Sequence, residues 1–161
     1  VAQDEASGLA LLAPKAPLAP TAFAALSTAS PRAGSEVSVA GYSYGERQPG
    51  ATLTFGSFDA AEGMGGEAGF ARIIAPVMAG DVGGPVLDNT GAVVGVLLPT
   101  PTTGKVPPPG MALAADAARL GPLPQGARPA AATSTATAAA TPDALNAGAL
   151  GMPVLVSCWA E

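Results

Sequence analysis

Glycine and proline interrupt this chain so often that a long helix has nowhere to form. There are 21 glycines and 17 prolines among 161 residues, and inside a helix each costs about 1 and about 3 kcal/mol respectively. Between these breakers lie only short apolar runs, which read as many brief elements joined by turns and argue against a helical bundle. Apolar residues make up 48% of the chain and aromatic ones 4%. A packed core is feasible, but it has to be built from Ala, Val and Leu, which bury less area per residue than rings do. A chain of this length fits one ordinary domain.

Several runs carry strand signals. GLALLA near the start is an apolar segment fit for a buried strand, and residues 14–35, rich in Pro, Ala, Ser and Thr, are expected to run over the surface. SEVSVAGYSYG (35–45) alternates, with Val37, Val39 and Gly41 on one side and Ser38 and Ala40 on the other, before a turn at ERQPG. ATLTFGSFDA (51–60) alternates again, with Leu53 and Phe55 on one face, and FARIIAPV (70–77) follows the glycine-rich tip EGMGGEAG. In PVLDNTGAVVGVLLP (85–99) two apolar runs flank Asp88-Asn89-Thr90-Gly91, a hairpin signal. GMALAADAARLGPL (110–123) reads as a strand passing into one helical turn or two. ARPAAATSTATAAATP (127–142) reads as low-complexity linker, and Val154 to Trp159 as one more strand. The pattern of short strands and glycine-rich turns predicts an all-β barrel or sandwich. It divides the chain into a barrel over 1–126, a linker over 127–146 and a docking strand within 147–161.

Charge and composition exclude several roles. With 7 basic and 12 acidic residues and a net charge of −5, the chain lacks the basic surface on which phosphate binding depends, so no nucleic-acid role is expected. No apolar run approaches the ~20 residues that span a bilayer. One cysteine, Cys158, permits no internal disulfide, and the absence of histidine removes the commonest metal ligand and general base. No metal site and no cofactor are expected. Asp59, Glu62 and Glu67 lack the alternating oxygen ligands of a calcium loop and read as a solvated tip. Cys158 beside Trp159 reads as buried and inert. Tyr42 and Tyr44 read as packing residues flanking a turn, with a groove-lining role as the alternative.

One stretch stands apart. Gly80-Asp81-Val82-Gly83-Gly84-Pro85-Val86 sets a valine in a tight glycine frame. It is preceded in chain order by Gly8-Leu9-Ala10-Leu11-Leu12 and by Val39-Ala40-Gly41-Tyr42-Ser43-Tyr44-Gly45. It is followed by the hairpin LDNTGAVVGVLL and by GMALAADAARL. The order and spacing resemble the trypsin-like serine proteases, most closely their bacterial HtrA-like branch, over about residues 1–123. The plain alternative is a glycine-rich structural turn with Val82 as a core residue. The resemblance implies the second, C-terminal six-stranded antiparallel barrel of a double-barrel fold, with a short helix and a C-terminal extra strand. It also implies a periplasmic or secreted location, and a first barrel or another chain covering the exposed face.

In that family the frame holds a serine whose neighbouring N–H groups converge on an oxyanion, activated by a His that an Asp orients. Mapped onto this sequence, the serine slot holds Val82, the aspartate slot holds Gly8, and no histidine exists. Gly80, Asp81 and Val82 would form the oxyanion-type turn. Pro76, Val77, Met78 and Ala79, with Val96, Leu97 and Leu98, would border a groove able to hold a peptide as an added strand. The expectation is a non-catalytic pseudoprotease domain that binds peptide or protein. The alternatives are a serine endopeptidase using Ser43 or Ser57, and a purely structural subunit.

Overall fold

The computed structural model describes residues 2–12, 14–16, 19–102, 104–120 and 131–157. Cys158 and Trp159 lie outside them. Ten strands and two short helices are assigned among these residues. Six strands close on themselves: β4 (Glu36–Gly41), β5 (Thr52–Ala60), β6 (Phe70–Ile74), β7 (Pro85–Asp88), β8 (Val93–Leu97) and β9 (Met111–Asp116). Their antiparallel neighbours run β4-β5-β6-β9-β8-β7 and back to β4. This is the expected six-stranded barrel, and closure pairs every one of these strands on both sides.

The barrel interior takes residues from all six strands, among them Val37, Val39, Phe58, Ile73, Val86 and Ala114. Apart from Phe58 and Leu97, small and β-branched side chains fill it, as the composition requires. Alternation sends the other face of β4, β7 and β8 outward, yet there Ala40, Leu87 and Val93 are buried as well. They lie beneath a second layer formed by β3 (Leu26–Ser27), α1 (Ala117–Leu120) and α2 (Pro142–Leu150). The strand β10 (Thr133–Ser134) pairs in parallel with β3, and β3 meets β8 at Val93. Leu53, read as sharing one face of its strand with Phe55, packs on this outer cluster. Phe55 is half exposed.

The hairpin at Asp88–Gly91 forms as its sequence asks. Gly91 has φ +84°. The Asp88 carboxylate accepts from the Thr90 and Ala92 N–H groups and from the Thr90 hydroxyl. An aspartate that bonds its own next residues in this way defines the turn.

Three expectations need correction. GLALLA is not a buried strand: β2 (Leu9–Leu11) pairs only with β1 (Ala2–Asp4) in a separate two-stranded ribbon, and Leu12 is exposed. The stretch read as linker to 146 contains β10 and the first half of α2. The Thr141 hydroxyl caps α2 by accepting from the Ala144 N–H at 3.3 Å, and Pro142 sits where a missing N–H costs nothing. Residues 152–157 form no strand ladder, so the late strand in the chain is β10.

Candidate functional site

The frame is built by close approach. Between β6 and β7 the chain forms a 3-10 turn over Ala79–Asp81, and Val82 leaves it extended, with φ −60° and ψ 133°. A Cβ at Gly80 would strike the carbonyl oxygen of Tyr42, and one at Gly84 the carbonyl oxygen of Ala40. The frame therefore lies directly on the backbone of β4 and the turn after it. Gly83 needs its glycine for another reason: its φ is +85°, where a side chain is strained, although there is open space around it.

Beneath the turn sits Asp81, fully buried. One carboxylate oxygen accepts from the Ser43 hydroxyl at 2.6 Å, and the other accepts from the Met78 N–H at 2.8 Å. Room for it exists because residue 41 is glycine; a Cβ there would lie 2.6 Å from Asp81 Oδ1 and 2.7 Å from its Cα. Ser43 is held in turn by the loop 42–50. Within it Gln48 accepts from the Tyr44 N–H and donates to the Gly41 and Gly50 carbonyls. A buried carboxylate needs such donors, since an unpaired one is very costly.

Four successive amides of the frame are committed within the chain. The Asp81 N–H donates to Met78 O at 3.0 Å, Val82 to Ala79 O at 3.4 Å, Gly83 to Leu97 O at 2.8 Å and Gly84 to Asp81 O at 2.9 Å. The expected oxyanion-type turn at Gly80, Asp81 and Val82 thus has its Asp81 and Val82 donors turned onto carbonyls of the chain itself. The turn is ordered by these 3-10 bonds and by the Asp81 carboxylate, and no converging pair of outward amides results at 81 and 82.

Val82 remains at the surface, 41% exposed, on a ridge between two hollows. The inner one, about 430 Å³, brings Val77, Met78, Ala79, Leu97 and Leu98 around Val82, together with Pro99, Ala112 and Leu113. Five of the seven residues expected to border a groove are thereby gathered. Pro76 is exposed and outside this lining, and Val96 faces the other hollow. The outer hollow, about 490 Å³, is lined by Tyr42, Gly80, Val82–Pro85 and Val96, and on its far side by residues 152–156. The tail, expected to dock as a strand, lines the hollow at residues 152–156 without strand pairing. Neither hollow has a charged side chain in its lining. Strand addition along β8 itself is closed off, because β7 and β9 take both of its sides.

Gly8 stands in the turn between β1 and β2 with φ +72°, where an added Cβ would lie 3.7 Å from a Leu98 methyl. It brings no carboxylate to the frame. Ser57 lies in the β5 ladder between Glu36 and Ile74. At the tip, Arg72 bonds Asp59 at 2.7 Å and Glu62 at 3.3 Å, so two of the three acidic residues there already have a cation. These carboxylates hold the guanidinium pKa above its ordinary value, the Asp59 hydrogen bond most of all. Among the described residues no cluster suited to a metal ion occurs, and no helix is long and apolar enough to cross a membrane.

The family model described as a trypsin-like peptidase domain matches residues 1–96. The chain belongs to the trypsin-like peptidase family. This trypsin-like domain is 36% identical over 98 residues to an uncharacterized protein, y4bJ, of Sinorhizobium fredii, a match covering 60% of this chain and 15% of that protein. Among solved structures it is similar to the inactive form of Rv3671c from M. tuberculosis, at 22% identity and TM-score 0.47, covering 60% of this chain and 49% of the other. It is also similar to a serine endoprotease from Yersinia pestis, at 25% identity and TM-score 0.45, covering 58% of this chain and 30% of the other. The trypsin-like domain thus spans less than half the length of each of these relatives.

Proposed function

We propose that this trypsin-like domain is a pseudoprotease, a module that binds a peptide or protein segment and hydrolyses none. The observation that carries the reading is Val82: an exposed aliphatic side chain occupies the centre of the frame, where acyl transfer requires an ionisable hydroxyl. Around it, the amides of residues 81 and 82 serve the turn, Gly8 supplies no carboxylate, and the sequence has no histidine. Losing one member of the triad already removes orders of magnitude in rate, and what remains then depends on the oxyanion donors.

The two hollows beside Val82 suit binding better than chemistry. Both are lined mainly by apolar side chains and backbone, with Tyr42 at the outer hollow and Thr100 at the inner, which select an apolar segment by shape. The exposed apolar side chains of Met78 and Val82 support a further chain, or a preceding barrel, resting over this face. A location outside the cytoplasm rests on the family likeness alone. Treatment with a fluorophosphonate, followed by intact-mass analysis, is expected to leave the chain unlabelled, and Val82→Ser is expected to leave it unlabelled too. Covalent labelling of the native chain overturns the reading.

A further inference from the structure

The outer hollow is roofed by the chain's own tail. Residues 152–156 line it opposite Tyr42, Gly80 and the segment Val82–Pro85. At the near end the tail is well anchored. Gly151 lies against Thr21 and Ala22 too closely for any Cβ, Ala149 is buried in α2, and Met152 packs on the outer cluster. At the far end one exposed hydrogen bond holds it, from the Ser157 hydroxyl to the Glu46 carboxylate at 3.1 Å.

Between these anchors the tail is bound loosely. Among the described residues no backbone hydrogen bond ties 152–157 to the frame. Val154, Leu155 and Val156 are 58%, 43% and 64% exposed. Three consecutive apolar residues in water, β-branched at two positions and free of ladder bonds, have the chemistry of a bound peptide without a peptide's main-chain contacts. A solvated hydroxyl–carboxylate bond adds little hold.

We propose that residues 152–157 are an internal strap, seated on the apolar outer hollow where an extended, uncharged apolar segment of a partner would otherwise lie. A partner reaches the frame by displacing the strap, and the chain's affinity for it is reduced by the fraction of time the strap is closed. The matching partner chemistry follows from the occupant: short, extended, aliphatic and without charge, because the floor offers no charged side chain. This inference rests on the domain being a binding module.

The test uses the full chain. A fluorescein-labelled synthetic peptide with the sequence of residues 151–157 is titrated into the native protein and into the double variant Leu155→Asp, Ser157→Ala. That variant puts a carboxylate over the apolar floor and removes the far anchor, at surface positions. The peptide is expected to bind the variant at least about tenfold more tightly than the native chain, and adding Val82→Asp is expected to abolish that binding. Equal affinities, or binding to neither, overturn the strap. A second measurement leaves the strap's anchors in place. A nitroxide on Val156→Cys, at an exposed position and with Cys158→Ser, is expected to broaden the amide NMR signals of Tyr42 and Gly83, and unbroadened signals overturn the proposal. Fluorophosphonate labelling decides the pseudoprotease reading separately, whatever the titration gives.

Discussion

Substituting Gly84 by alanine tests whether the frame is defined by contact distance. The added Cβ would press on the Ala40 carbonyl oxygen and lie 2.9 Å from the Asp81 carbonyl oxygen. Both obstacles are backbone. Ala40 is fully buried in β4, which is paired on both sides, and Asp81 is fully buried in the turn. Neither has a flexible side chain that can swing away, so frame and strand must separate, breaking the registry that places Gly83 N–H on Leu97 O. Overpacking against a rigid neighbour costs about 1–3 kcal/mol, occasionally more, and backbone obstruction places Gly84→Ala at about 3 kcal/mol. For a chain of this size that is a fall in Tm of roughly 6–12 °C. Two controls separate the causes. Gly83→Ala meets nothing within 4 Å but must hold φ +85°, at about 1–2 kcal/mol. Gly148→Ala, inside α2 and in open space, gains about 0.5–1 kcal/mol. Urea unfolding with unchanged m-values measures all three. If Gly84→Ala costs less than Gly83→Ala, the close-approach account of the frame is wrong.

Three further outcomes are expected. Ser43→Ala leaves the buried Asp81 carboxylate with one donor and destabilises the fold by about 2 kcal/mol in the same assay. The Ser38 hydroxyl is buried in β4 without a partner among the described residues, so Ser38→Ala stabilises by about 1 kcal/mol; a loss of stability would indicate a bond to ordered water. The Glu67 carboxyl is held below its ordinary value of 4.5 by its own N–H and that of Gly65. A depressed folded-state pKa gives stability that is present above 4.5 and lost as pH falls through the folded value. Glu67→Gln should therefore flatten the acid side of the stability curve, lowering stability above pH 4.5 and leaving it nearly unchanged once the native carboxyl is protonated.

The barrel was legible because its strands carry local signals. The alternation in 35–45 and 51–60, the Asp88–Gly91 turn and the breakers between the runs each act over a few residues. The outer layer was harder to read, because burial there depends on what arrives from elsewhere in the chain. Ala40, assigned to the opposite side from Val37 and Val39, is as buried as they are, since α2 and Met152 come to rest over it. The helix α2 did have a signature, threonine then proline then aspartate at 141–143, set in an Ala- and Thr-rich background that reads as linker. At the site, the glycine frame and its valine were visible in the sequence. The bond from Ser43 to Asp81 and the tail over the hollow join residues 38 positions and more apart, and no local pattern announces such a pairing.

The clasp of β3 by β10 sets an order of events during synthesis. Thr133 lies beside Leu26, so the part of the outer cladding made by β10 and α2 waits until residues 133–150 have left the ribosome. The six barrel strands all lie within residues 36–116 and can close earlier, with the faces of Ala40, Leu87 and Val93 still wet. For that interval a nascent chain carries an apolar flank that β10 and α2 have yet to cover.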